Sequence, residues 1–331
     1  MINAAIIGLG WWGRHIVQTL HGKSDKIKFI RAVDPDLDAS KDFAAANGLA
    51  LGATLDDALN DDDVDAVVLA TPHSLHEEQI LAAAKAGKHV FCEKPLALTR
   101  ASAEKVVQAC QNKGLVLGVG HERRFEPAWI EIKRMVEAGE LGAIMHVESN
   151  FSHNKFVGMA VDNWRSSEKE APAAGMTATA IHLTDAYLNM FGAIDEVHAI
   201  TSKRELDMAS GDVISIQLKF ASGATGYIAS ILATPLFSRF QVFGSKAWVE
   251  ARDSSHPSEK GVTELSVCFE EGKIEKRIIE SVDTVRLNFE AFADAVSGNR
   301  NYPYTAVEKV QNIAVFDAVC RSVLSGAVEK V

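Results

Sequence analysis

The first 120 residues alternate short apolar runs with helix-like stretches, and this alternation most constrains the fold. Residues 4–7, 29–33, 66–70, 88–92 and 115–119 are short and nearly all apolar, as strands buried on both faces of a parallel sheet must be. Helical stretches at 12–20, 39–47, 77–86 and 99–112 stand between them, several closed by Gly48, Gly87 or Gly114, with a shorter one at 56–60. This order predicts a doubly wound α/β sheet. Ligands of such sheets sit beyond the carboxyl ends of the strands. Here those ends are Gly8, Asp34, Thr71, Glu93 and Gly120, which together describe one cleft.

Gly8-Leu9-Gly10-Trp11-Trp12-Gly13 joins the first strand to the first helix as G-x-G-x-x-G. The first glycine permits the tight turn, the second lets backbone approach a pyrophosphate, and the third lets helix pack on strand. The helix start offers free N–H groups to phosphate, so the backbone of Trp11 and Trp12 matters more than their rings. Asp34 ends the second strand, where a carboxylate accepts hydrogen bonds from both hydroxyls of an adenosine ribose and repels a 2′-phosphate. The next cation, Lys41, lies seven residues on. The expected cofactor is therefore NAD rather than NADP; the other reading of Asp34 is a turn or N-cap residue before Pro35.

Lys88–Pro95 reads Lys-His-Val-Phe-Cys-Glu-Lys-Pro: a buried strand, then Glu93 and Lys94, then a proline that ends the ladder. A lysine at such a strand end is either placed for chemistry or paired in a turn. His73 and His76 lack a third ligand at zinc spacing, so cofactor contact or helix capping is expected there, and no metal. Asp61–Asp63 and Asp65 read as a solvated acidic cluster.

The pattern changes after Gly120. Pro127 opens an amphipathic helix over 128–138, a strand follows at 144–151, and 176–190 has helical spacing that puts His182 and Asp185 on one face. Period-two alternation at 214–220, 225–231, 240–243, 247–251, 265–269 and 274–279 predicts an open, mainly antiparallel sheet. Helices at 288–296 and 306–324 close the chain. With 331 residues, two domains are expected, 1–122 and 123–331. A net charge of −10 argues against nucleic acid. No apolar run reaches membrane length, residues 2–8 leave no room for a signal peptide, and four scattered cysteines fit reduced thiols in the cytoplasm. An open sheet with an apolar face points to a homodimer or homotetramer.

These motifs together resemble the glucose–fructose oxidoreductase / inositol dehydrogenase (Gfo/Idh/MocA) family of nicotinamide-dependent oxidoreductases, over nearly the whole chain. The resemblance rests on the glycine motif, Thr71-Pro72 with His76 four residues after the proline, and Gly87-Lys88-His89-Val90 running into Glu93-Lys94-Pro95. It continues in Arg124-Phe125 with Pro127, Gly139-x-x-Gly142, Trp164-Arg165, and His182 with Asp185. The Glu-Lys-Pro signature is far more specific than the glycines.

The resemblance implies a Rossmann domain followed by an α+β domain for substrate binding and oligomerisation. It places Lys94 between nicotinamide and substrate, with His182 facing it from the second domain. Hydride would pass between a secondary alcohol carbon and C4 of the nicotinamide. His182 would take the hydroxyl proton, a role that suits a histidine side chain because its unperturbed pKa is about 6.5, and Lys94 would orient the hydroxyl and stabilise the alkoxide. Cofactor contacts are expected from Gly8, Gly10, Trp11, Trp12, Gly13, Asp34, Thr71, Pro72, His73, His76, Glu93, Lys94, Arg124 and Trp164, although plain packing suits Trp164 equally. Substrate contacts are expected from Lys94, Arg123, Arg165, Thr179, His182 and Asp185.

One position departs from the family pattern. Many members have an aspartate four residues before the histidine, one helical turn away, where this chain has Ala178. That absence counts against an inositol-type or glucose-type substrate. Arg123, Arg124 or Arg165 would instead favour a carboxylate-bearing or oxidised substrate, the other reading of each being an ion-paired role. The leading expectation is an NAD-dependent dehydrogenase of a sugar, cyclitol or related polyol. The alternatives are a catalytically silent NAD-bound sensor or regulator, and an NAD-dependent redox glycosidase.

Overall fold

The five apolar runs join one sheet in the computed structural model, which describes residues 1–160, 163–256 and 259–331. By its contacts the chain divides into two units: residues 1–122 with 285–310, and residues 123–284 with 311–331.

The first unit contains β1 Ile2–Ile7, α1 Trp11–Leu20, β2 Ile27–Val33, α2 Leu37–Ala46, β3 Ala50–Gly52, α3 Leu55–Leu59, β4 Ala66–Leu69, α4 His76–Lys85, β5 His89–Cys92, α5 Arg100–Asn112 and β6 Leu117–Val119. All strands are parallel, in the order β3-β2-β1-β4-β5-β6. The winding direction reverses between β1 and β4, so the ligand crevice of this sheet lies at their carboxyl ends. Ile6, Ile16, Leu20, Phe29 and Val68 fill the core. Asp36 caps α2 by accepting the Ala39 N–H, and Thr99 caps α5 by accepting the Ser102 N–H. The acidic cluster expected to be solvated is partly structural. Asp61 pairs with Arg31 at 2.7 Å, and Asp65 accepts the Asn3 N–H at 2.7 Å.

The second unit holds α6 Pro127–Glu137, β7 Ile144–Ser152, α7 Ala180–Phe191, β8 Ile194–Ser202, β9 Val213–Phe220, β10 Thr225–Ile231, β11 Phe237–Gly244, β12 Trp248–Asp253, β13 Val262–Glu270 and β14 Lys273–Glu280. Together with β15 Glu329–Lys330 they form a nine-stranded sheet in the order β14-β13-β12-β11-β7-β10-β9-β8-β15, antiparallel except between β7 and β10. On β9, Ile214, Ile216, Leu218 and Phe220 are buried, while Ser215, Gln217 and Lys219 point the other way. The Tyr187 hydroxyl pins α7 to the sheet by donating to Ser149 Oγ at 2.8 Å.

The chain then returns to the first unit, which departs from the expected division at 123–331. From α8 Thr284–Val296, Phe289 and Phe292 pack on Phe91, with ring centroids 3.8 and 5.5 Å away. Asn288 and Tyr302 both donate to the Val119 carbonyl at the end of β6, and Tyr304 donates to the His121 carbonyl. From α9 Ala306–Ser325, Asn312 lies in the second unit and accepts the Thr184 hydroxyl of α7 at 2.7 Å. Among the described residues no helix is long and apolar enough to cross a membrane.

Candidate active site

The glycine loop is shaped by its own packing at two of its three glycines. Gly8 has φ +94°, and a Cβ there would meet the Ala70 carbonyl oxygen at 2.8 Å. At Gly13 a Cβ would fall 1.9 Å from the Gly8 carbonyl oxygen. At Gly10 it would meet no protein atom within 4 Å. Nothing in the chain requires a bare backbone there, so the open space fits a group from outside, and a pyrophosphate is what this motif admits. Gly10 is also the N-cap of α1 and offers no side chain to the helix start, which leaves that end open to an anion. The residues present therefore fit a dinucleotide.

Asp34 closes the far side of the loop. Its Oδ2 accepts the Leu9 N–H at 2.7 Å, and its Oδ1 accepts the Asp36 N–H at 2.9 Å. Trp11 is exposed, stacked on His15 with ring centroids 5.8 Å apart, and Trp12 packs on the same imidazole at 4.9 Å.

The ends of β4 and β5 are fastened to each other. His76 is fully buried, its Nδ1 2.8 Å from the Pro95 carbonyl and its Nε2 3.2 Å from the Thr71 carbonyl. The cofactor contact expected of His76 is thus replaced by a brace, because both ring nitrogens are turned to backbone. That brace holds the turn after Glu93 and Lys94, where the Lys94–Pro95 peptide is cis. Lys94 itself is half-buried, as are Thr71, Pro72 and His73. The Thr71 hydroxyl donates to Gln79 Oε1 at 2.6 Å. Glu93 is buried, and a Cβ at Gly120 would lie 2.5 Å from its carboxylate, so the end of β6 is bare where that carboxylate sits.

In the second unit the structure sorts the predicted substrate residues differently. Arg123 is only 1% exposed. Its Nη2 donates to Asp253 at 2.6 Å, and its guanidinium lies 4.4 Å and 4.7 Å from the rings of Trp129 and Phe151. Arg123 is therefore a core ion pair, not an open substrate contact. Thr179 is fully buried, and its hydroxyl is shared between the Gly175 carbonyl and Ser230 Oγ, so the expected substrate contact is committed internally. Asp185 accepts from Arg124 with both oxygens, at 2.8 and 2.7 Å, and the two side chains are 4% and 6% exposed. This bidentate pair commits Nε and Nη2 of Arg124 to both oxygens of Asp185.

His182 lies in the first turn of α7, 4% exposed, on the face that also carries Asp185. The helix begins at Ala180 rather than at 176, after a short 3₁₀ turn over Ala174–Met176. Thr179, just before α7, has φ −131° and ψ −49°, outside the helical region, which breaks helical continuity there. Ala178 is consequently not on the helix that carries His182, and the one-turn-away relation assumed for it does not hold. Arg165 is half-buried and stacks on Trp164, its guanidinium 4.0 Å from the ring centroid.

A parallel sheet with a glycine cradle at its switch point and a braced lysine at a neighbouring strand end defines a nicotinamide-dinucleotide oxidoreductase. The family profile described as an oxidoreductase family with an NAD-binding Rossmann fold matches residues 2–121, and that of the GFO/IDH/MocA C-terminal domain matches residues 129–250. The chain is 30% identical over 296 residues to a D-xylose 1-dehydrogenase (NADP(+)) of Haloferax volcanii, covering 87% of this chain and 89% of that one. It is 33% identical over 225 residues to a 4-carboxy-2-hydroxymuconate-6-semialdehyde dehydrogenase of a Sphingobium strain, covering 67% and 70%. The crystal structure of an aldose-aldose oxidoreductase from Caulobacter crescentus superposes with a TM-score of 0.88 at 24% identity, over 100% of this chain and 99% of that one. The chain belongs to the Gfo/Idh/MocA family and is an NAD(P)-dependent oxidoreductase.

Proposed function

We propose that this enzyme transfers a hydride between NAD and a secondary alcohol or ketone carbon of a sugar, cyclitol or related polyhydroxylated molecule, acidic ones included. The observation that carries the reading is the half-buried Lys94, held at the carboxyl end of β5 by the His76–Pro95 brace and two strands from the glycine loop. When bound, the nicotinamide supplies the hydride acceptor or donor. Lys94 then orients the reacting oxygen by hydrogen bonding and stabilises negative charge developing on it. His182 receives the hydroxyl proton in oxidation and returns it in reduction. The fixed helix under His182, tied through Thr184 to Asn312, keeps the imidazole from drifting between turnovers.

Asp34 supports NAD over NADP, since a carboxylate at this strand end bonds a ribose diol and repels a phosphate. Exposed Ile274 and Ile278 on β14, an edge strand of the nine-stranded sheet, support a homodimer or homotetramer through that sheet, and free thiols support a cytoplasmic location.

The test is NADH formation by absorbance, at mildly alkaline pH, across polyols, sugars, uronic acids and hydroxy acids, with NAD and with NADP. Turnover of one class with NAD is expected. Lys94→Met should abolish it while NADH still binds. Silence across the panel in NADH-binding protein would overturn the dehydrogenase reading in favour of a sensor or a redox glycosidase.

A further inference from the structure

The glycine loop has a cation that the sequence reading passed over. Arg14 Nε donates to the Leu9 carbonyl at 2.8 Å and Nη2 to the Ala39 carbonyl at 2.7 Å. The guanidinium carbon lies 5.2 Å from the Phe43 ring centroid. The N–H of that same Leu9 is held by Asp34 Oδ2 at 2.7 Å. Asp34 and Arg14 thus grip the two ends of one residue, and the chain from Asp34 to Ala39 runs from one to the other. Arg14 is half-buried, and among the described residues no hydrogen bond occupies its Nη1. Two bonds to fixed carbonyls orient the planar guanidinium, so a further acceptor would find it already placed.

A carboxylate at the end of β2 marks where an adenosine ribose binds. Arg14 is bonded to the carbonyl of the same residue whose N–H that carboxylate holds, which brings a guanidinium close to the ribose position. The other charges around α2 are Asp36, whose carboxylate caps it, the exposed pair of Asp38 with Lys41, and exposed Asp42. We propose that Arg14 is a latent site for a 2′-phosphate: Asp34 bars NADP by charge, and with that carboxylate gone Arg14 binds the phosphate directly. NADP acceptance would then need one substitution rather than a rebuilt loop. This inference rests on reading the first unit as a nicotinamide-dinucleotide site.

The test is tryptophan-fluorescence titration with NADH and NADPH, and competition by adenosine 2′,5′-bisphosphate. The proteins are wild type, Asp34→Ser, Asp34→Ser with Arg14→Leu, and Asp34→Ser with Arg14→Lys. Asp34→Ser should tighten NADPH and the bisphosphate by about 10- to 100-fold, the worth of a charge-assisted hydrogen bond. Adding Arg14→Leu should erase that gain, and Arg14→Lys should retain part of it by keeping the charge. NADH binding by each variant reports that the loop is folded. A gain that survives Arg14→Leu, or no gain in Asp34→Ser, overturns the proposal while leaving the cofactor reading intact. Wild type that binds neither NADH nor NADPH overturns both.

Discussion

Asp185→Asn separates a structural from a substrate-binding role for the Arg124–Asp185 pair. The side chains are 6% and 4% exposed and share two hydrogen bonds of 2.8 and 2.7 Å, so the substitution leaves a buried guanidinium facing a neutral amide. Breaking a buried pair from one side costs about 3–5 kcal/mol, and the retained amide oxygen sets the expectation near ~3. Against a typical domain stability of about 5–15 kcal/mol this is a large fraction. With a urea dependence of about 2 kcal/mol per molar, the unfolding midpoint of the second unit should fall by ~1.5 M. Trp129, Trp164 and Trp248 lie in that unit, and fluorescence in a background with Trp11→Phe and Trp12→Phe isolates its transition. Replacing both partners, as Asp185→Leu with Arg124→Met, should recover most of the loss, since no charge is then stranded. A midpoint within about 0.5 M of wild type, accompanied by a raised KM, would refute this and return Asp185 to the substrate.

Gly10→Ala should leave the thermal midpoint within a few degrees but weaken NADH binding, because a Cβ there meets no protein atom within 4 Å; Gly13→Ala, with its Cβ 1.9 Å from the Gly8 carbonyl, should lower the melting temperature sharply. Burial pushes the Cys110 thiol up to about 11. Below about pH 9 folded and unfolded thiols are both protonated, and above it the unfolded thiol ionises first, so stability should fall between pH 9 and 11. The loss is on the order of 3 kcal/mol, and Cys110→Ser should flatten that limb in urea melts at each pH. Arg165→Gln should raise KM for uronic or hydroxy acids about tenfold or more with little change for neutral polyols, and equal effects on both would remove Arg165 from carboxylate recognition.

Much of the fold was legible because each sheet type prints its own periodicity. The four-residue run Ala66–Leu69, between turn signals, reads as a doubly covered strand, and Ile214 to Phe220 alternate without a break. β8 escaped notice because its register shifts between Ile194 and Glu196, so the period of two is lost where it would be read. β3 has three residues, too few to show any period. The return of α8 to the first unit was hidden for a different reason. Apolar spacing shows that a helix has a buried face, but not which core receives it; only the contacts of Phe289 and Phe292 with Phe91 decide that. In the candidate site the backbone features were legible and the side-chain commitments were not. Gly10, Asp34 and Lys94 stand at positions that topology alone determines, whereas His76 reads identically as a cofactor contact or a brace until the carbonyls of Pro95 and Thr71 are seen beside it.

The three arginines considered for an acidic substrate make the same point chemically. A guanidinium can recognise a carboxylate from outside only if the protein has not already used it to neutralise one of its own. Arg123 pairs with Asp253, its guanidinium 4.4 and 4.7 Å from the rings of Trp129 and Phe151, and Arg124 pairs with Asp185. Desolvating either again for a ligand would cost the buried carboxylate its counter-charge, several kcal/mol that a small molecule in exchange with water does not return. Arg165 stacks on a ring face, 4.0 Å above Trp164, an arrangement that stiffens the guanidinium plane. The Arg123–Asp253 and Arg124–Asp185 pairs tie these two consecutive arginines to β12 and α7, which fixes the helix against the strands of its own unit.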